Sequence, residues 1–196
     1  MNTPSIETPS TEPPSPVGSR KNQLWKEIVE LGQSLILGIV LAMVLQIFIQ
    51  PTIVYGQSME PNLHDQERVI LDKVAYHIGT PTRGDIVVFP VKGEPLPLIK
   101  RVVGLPGETV EVRGGRVLVN GVALKEPYVS GPTVGNMAPV LVPANTVFVM
   151  GDNRAPGSSL DSRRLGPIPL NKLVGRARLA YWPLADVGIL NGSVVK

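Results

Sequence analysis

The chain has 196 residues, a net charge of +3, no Cys, two His, and 20 each of Gly and Pro. That length fits one ordinary domain and hardly two, and Pro plus Gly at about a fifth of the chain argues against a helical bundle. The missing Cys rules out disulfides, thiolate catalysis and Cys-based zinc sites, two His cannot build a three-His metal site, and sparse aromatics without a Lys/Arg-dense run speak against nucleic acid.

Residues 1–22 come first. Met1 to Ser19 contains five Pro among many Ser and Thr. No apolar face can form there, which predicts a disordered tail. Arg20, Lys21, Lys26, Glu27 and Glu30 follow, and then Leu31 to Met59 carries no charged residue. Leu31 to Ile49 is apolar, and as a helix at ~1.5 Å per residue it spans about 28 Å, close to a ~30 Å hydrocarbon core. Pro51 is placed to end it. A buried soluble helix and a cleaved secretory signal compete with a retained anchor. The run is apolar on nearly every face, is longer than a ~7–15-residue signal core, and no small-x-small site follows it closely. These features favour a transmembrane anchor over residues 23–50. The basic residues precede the span and the next is Arg68, so the tail is expected in the cytoplasm and residues 52–196 outside.

Ser58 follows within Tyr55-Gly-Gln-Ser-Met-Glu-Pro61. Gly56 and Pro61 fix a tight backbone around it, and by itself this reads equally as a turn. Short Val/Ile-rich runs then recur between turn residues: 68–71, 85–89, 98–103, 109–113, 116–119, 146–150 and 176–182. Gly114-Gly115 and Asn120-Gly121 sit where hairpins need positive φ. Val110, Val112, Val117 and Val119 alternate toward a core. The expected fold is mainly β, an antiparallel, barrel-like sheet domain over 51–196, tethered by one N-terminal helix. Tyr181 and Trp182, near the end of a strand, fit its core better than a contact with lipid headgroups.

Lys100 interrupts one apolar run, Leu98-Ile-Lys-Arg-Val-Val103. Alternation puts Lys100 and Arg101 on opposite faces, so one of them meets the less polar side. An inward Lys is desolvated and its pKa falls; a drop from ~10.4 to ~8 requires roughly 3 kcal/mol. A neutral amine of that kind is a base for a serine hydroxyl. The alternative is an edge-strand Lys facing water. The third cluster is Phe148-Val-Met-Gly-Asp-Asn-Arg154 with Ser159-Leu-Asp-Ser-Arg163, two Arg set against two Asp after a hydrophobic strand, which predicts a buried polar network.

In order, the apolar span, Gly56-Gln-Ser-Met-Glu-Pro61, Arg83-Gly-Asp-Ile-Val-Val-Phe89, Lys100-Arg-Val-Val-Gly-Leu-Pro-Gly-Glu108 and Gly151-Asp-Asn-Arg154 with Ser159-x-Asp-Ser-Arg163 resemble bacterial type I signal peptidase, a membrane-bound Ser/Lys protease. The resemblance implies Ser58 as nucleophile and, through its own N–H, as oxyanion donor. It implies Lys100 as general base and Ser159 as the hydroxyl orienting the amine. Asp161 matches an acidic residue paired with arginine, with Arg101 and Arg163 as candidates. Met59, Leu63, Leu98 and Ile99 fall where the family lines its pocket for small residues. No cofactor or metal is implied. The implied partners are signal-peptide-bearing preproteins delivered by the export machinery and the lipid bilayer, with no nucleic acid, and the implied cut follows Ala-x-Ala-like sites. A hydroxyl found in some members two positions before the nucleophile is Gly56 here, so a backbone group or water must supply the second oxyanion donor. The common Thr after Pro61 is Asn62. The stretch after Arg154 is about two residues longer than usual. A related self-cleaving Ser/Lys repressor would carry a DNA-binding helical domain and no span; a non-catalytic tethered β-domain would not need both Ser58 and Lys100.

Overall fold

The computed structural model describes residues 18–190. The chain divides into two compact units, Met1–Val44 and Leu45–Lys196. Most of the Pro-rich tail lies outside the described residues, while residues 18–22 already belong to helix α1, Gly18–Phe48. Its Gln23–Phe48 portion is long and apolar enough to cross a membrane, and none of it is buried. The helix ends at Phe48, and Pro51 sits within strand β1, Ile49–Ile53. That strand forms the border of its sheet, where a residue lacking an N–H breaks no ladder.

The second unit holds two antiparallel sheets. Strands β2 (Arg68–Asp72), β3 (Ile86–Phe89), β4 (Leu98–Gly104), β9 (Thr146–Met150), β10 (Ile168–Pro169), β11 (Gly175–Trp182) and β12 (Gly188–Ile189) join β1 in the larger one. Its order is β1-β2-β11-β3-β4-β9-β10, with β12 on β11. The smaller sheet has the order β7-β6-β5-β8, from β5 (Thr109–Arg113), β6 (Arg116–Val119), β7 (Val122–Ala123) and β8 (Met137–Leu141). Two one-turn helices, α2 (Ala75–Ile78) and α3 (Ser162–Leu165), complete the regular elements besides short 3-10 turns.

The seven anticipated strands are present. Strands β7, β10 and β12 have two residues each, too few to alternate, and β1 and β8 each contain a Pro that disguises the strand pattern. The hairpins close as the residue types require: Gly114 and Gly115 have φ of 59° and 76°, and Asn120 and Gly121 of 52° and 80°. Val110, Val112 and Val117 face a shared cluster with Val103, Phe148 and Met150.

β3 and β4 occupy the middle of the large sheet, and both faces are covered. Ile86, Val88 and Ile99 join Val54, Met59, Leu63 and Leu71 on one side. Val87, Phe89 and Val102 join Val147, Val149 and Ile168 on the other. This double coverage explains the unbroken apolar run of β3, since a sheet buried on both faces loses its polar alternation. Trp182 departs from expectation: it is 49% exposed, because it ends β11 opposite Arg68, beyond the reach of the core.

Candidate active site

Ser58 lies in the tight turn after β1, while Lys100 belongs to β4, which is held between β3 and β9. The two meet across 42 positions of sequence: Lys100 Nζ is 2.6 Å from Ser58 Oγ. The amine also lies 2.7 Å from the Ile99 carbonyl oxygen. Lys100 is only 2% exposed. Burial pulls its pKa down to about 8 against the opposing fields of Asp161 and Asp152. An amine with that pKa is partly neutral at physiological pH and can accept a proton from a hydroxyl within hydrogen-bond reach. Lys100 and Arg101 are both buried, so the sheet offers no wet face here and each cation needs its own partners.

Arg101 finds them in a buried ion pair. Its Nε and Nη2 donate to Asp152 Oδ1 and Oδ2 at 2.8 and 2.6 Å. Nη1 donates to the Gly84 carbonyl at 3.0 Å, and the guanidinium lies 4.2 Å from the Tyr128 ring centroid. Asp161 therefore pairs with the other candidate, Arg163, at 2.9 and 2.8 Å. Burial alone would raise the Asp161 carboxyl, but Arg163 and the Gly151 N–H outweigh it and hold the group below its ordinary value. Arg154, adjacent in sequence to the Asp-rich motif, pairs instead with Glu126 and donates to Thr133 Oγ1 at 2.7 Å.

Asn153 ties the nucleophile turn to the β9 loop. Its N–H donates to the Ser58 carbonyl at 3.0 Å, and its Nδ2 to the Gln57 carbonyl at 3.1 Å. Gly151 lies at the same contact. A Cβ built there would come within 2.5 Å of the Ser58 oxygen and 2.4 Å of Ser159 Oγ, so only glycine fits. Ser159 thus packs beside the turn, and its hydroxyl helps hold the Asp161 carboxyl low, while Lys100 Nζ is bonded to Ser58 and the Ile99 carbonyl instead. Ser158 faces its own loop, donating to the Asn153 and Ala155 carbonyls.

The four expected pocket residues separate. Ile99 lines a cleft of about 270 Å³ with Ile53, Tyr55, Val88 and Leu96. Met59 and Leu63 are fully buried in the cluster that Ile99 joins, rather than on the cleft wall. Leu98 packs against the opposite cluster, since consecutive strand residues point to opposite faces. Four contributors escaped the sequence reading. Asp152 was seen only as part of a motif. Tyr128 and Glu126 lie in a loop without pattern. Asn62 stood out only as a departure, yet its Nδ2 bridges the Tyr128 carbonyl and Asp152 at 2.6 and 2.9 Å.

A serine hydroxyl thus lies against a desolvated amine in an antiparallel β-domain, an amine able to accept the hydroxyl's proton. The family described as signal peptidase, peptidase S26, matches residues 26–182, and the chain belongs to it as a serine endopeptidase. A signal peptidase I of Leptolyngbya laminosa is 39% identical, covering 93% of each chain. The signal peptidase I S of Bacillus subtilis is 35% identical over 83% of this chain and 93% of its own. A solved signal peptidase I of Enterococcus faecalis is 32% identical, with a TM-score of 0.45, covering 50% of this chain and 97% of that one.

Proposed function

We propose that the chain removes N-terminal signal peptides from exported preproteins by a Ser58/Lys100 mechanism at the outer face of the cytoplasmic membrane. One observation carries this reading: the 2.6 Å contact between Ser58 Oγ and an amine held near a pKa of 8. Neutral Lys100 takes the Ser58 proton as Oγ attacks the scissile carbonyl. The resulting ammonium returns that proton to the departing amine, leaving an acyl-enzyme. Water, deprotonated by the same lysine, then releases the signal peptide. The Ser58 N–H has no acceptor among the described residues, so it is free to receive the oxyanion. The Gly56 N–H is already committed to Asp65 Oδ1 at 2.7 Å, which leaves the second donor to water or the substrate backbone. Asp161, clamped by Arg163, fixes Gly151 and with it the turn carrying Ser58.

The cleft beside Ile99 suits the small side chains of Ala-x-Ala-like sites, with the signal peptide's extended end adding to the β1 border. The anchor is α1, residues 23–50 in the sequence division, with the tail cytoplasmic, 51–196 outside, and the bilayer as its partner. Preproteins arrive from the export machinery. The test is cleavage of a preprotein by the detergent-solubilised full chain, with Ala or Phe at position −1 and Ser58→Ala in parallel. Cleavage only of the Ala substrate and only by the unmodified chain is expected. Equal cleavage by Ser58→Ala would remove the nucleophile, and equal cleavage of Phe would remove the small-residue cleft.

A further inference from the structure

Ser58 and Lys100 sit on separate segments, the turn after β1 and strand β4, and both segments are tied to one carboxylate. On the base side, Arg101, next to Lys100, donates from Nε and Nη2 to Asp152 Oδ1 and Oδ2. On the nucleophile side, half-buried Asn62 donates from Nδ2 to the same Asp152 Oδ2 at 2.9 Å. The other hydrogen of that amide goes to the Tyr128 carbonyl at 2.6 Å. Tyr128 in turn lays its ring against the Arg101 guanidinium. Asp152, with no exposed surface, is therefore a common reference point for nucleophile and base.

The turn needs such a reference. Met59 and Leu63 are fully buried, but apolar burial is non-directional and holds the turn down without fixing its angle. The N–H groups of Asn62 and Leu63 both close on the Met59 carbonyl at 3.0 Å, so the stretch from Met59 to Leu63 is one tight piece. Asn153 grips its near end through the Gln57 and Ser58 carbonyls. Asn62 grips its far end. A turn held at one end can pivot; held at both, it keeps Ser58 Oγ 2.6 Å from Lys100 Nζ.

We infer that Asn62 is a positioning residue for the cleavage step: its side-chain amide locks the nucleophile turn to the carboxylate that also anchors the base strand, and so sets the distance between Ser58 and Lys100. This rests on the proposed Ser58/Lys100 reading. The lock takes two hydrogens on one short side chain, one for each acceptor. A hydroxyl has one to give and an ionised carboxylate none, so neither Thr nor Asp at this position reproduces it. Asn62 does not line the Ile99 cleft, and it carries no charge. Its loss should slow the chemical step without weakening substrate binding. The field of Asp152 on Lys100 should persist, because Arg101 still holds that carboxylate.

The experiment compares the unmodified full-length protein in detergent with Asn62→Leu, which is similar in shape and has no donor, and Asn62→Gln, which keeps both donors on a longer stem. One preprotein-derived peptide serves for kcat, KM and the pH profile of kcat/KM, with kcat referred to folded protein by circular dichroism. Asn62→Leu should lower kcat about tenfold to a hundredfold, the cost of a misplaced nucleophile, while KM changes by less than about twofold. The profile should keep its midpoint near 8, and Asn62→Gln should recover part of the loss. Val117→Ala, which loosens the core beneath the small sheet, should lower Tm yet keep kcat.

The positioning role is overturned if Asn62→Leu keeps kcat within about twofold of the unmodified chain, or if its loss lies in KM. A midpoint displaced by more than about half a unit also overturns it, since the base and not the turn would then have been disturbed. So does an Asn62→Gln variant no faster than Asn62→Leu, or an equal fall of kcat in Val117→Ala. If Ser58→Ala abolishes cleavage in any of these cases, the peptidase reading stands without the Asn62 lock. Failure of the unmodified chain to cleave the peptide overturns both.

Discussion

Lys100 is placed where an ammonium is least welcome, and the proposed chemistry uses that cost. With a pKa of about 8, about a tenth of the amine is neutral at pH 7 and about nine-tenths at pH 9. Cleavage rate should therefore rise with pH through about 8 and level off above it, as a kcat/KM profile will show. Lys100→Arg keeps the charge but cannot deprotonate, and Lys100→Ala has no base. Both should fall to the background of Ser58→Ala, because nucleophile and base act as a unit. The same burial is a stability cost. The folded chain binds fewer protons than the unfolded chain between pH 8 and 10.5, so wild-type stability contributed by this group rises across that window. Lys100→Met, which removes a ~3 kcal/mol desolvation and two hydrogen bonds of about 1 kcal/mol each, should be inactive yet more stable by about 1 kcal/mol at pH 7. That gain should close as the pH approaches 10.5; denaturant titrations at pH 7 and 10 measure it.

At the scale of elements, β4 and the loop after β9 carry the site, and two glycines let them come together. At Gly104, where the register between β4 and β9 shifts, a Cβ would lie 2.4 Å from Val110 Cγ2 and 3.0 Å from Phe148 Cβ. Gly104→Ala should cost about 1–3 kcal/mol through overpacking, read as a fall in Tm. Gly151→Ala meets the Ser58 backbone itself. It should lower kcat by about a hundredfold or more through displacement of the nucleophile, with a smaller loss of Tm than Gly104→Ala if the shift stays within the turn. The pair of Arg101 with Asp152 ties these same elements together with neither partner exposed. Asp152→Asn leaves the guanidinium buried without its counter-charge and should destabilise the chain by about 3–5 kcal/mol, measured by chemical denaturation.

At the scale of the whole molecule, the apolar helix α1 runs directly into β1, so the peptidase domain begins where the proposed span ends. Protease added to intact spheroplasts should degrade residues 52–196 and spare the tail before Arg20. Digestion of the tail alone would reverse the orientation. The large sheet supplies Lys100 and Arg101, and the small sheet packs Val110, Val112 and Val117 against Val103, Phe148 and Met150 of the large one.

Sequence by itself determined the parts whose signal is local. The uncharged run of α1, the alternating valines of β5 and β6, and the positive-φ pairs at Gly114-Gly115 and Asn120-Gly121 were legible because helix and hairpin propensities depend on neighbours within a few positions. The Ser58 and Lys100 motifs were legible as a pair only through the family resemblance, since each alone reads as a turn residue and a strand lysine. Tertiary structure alone decided the partners. Arg101 takes Asp152 and leaves Asp161 to Arg163. Leu98 turns away from the cleft that Ile99 enters, and Met59 and Leu63 sink beneath it. Trp182 stays at the surface. The physical reason is common to all of these: burial and charge pairing are set by which strands lie beside one another and which face is covered, and that is fixed by contacts between residues tens of positions apart.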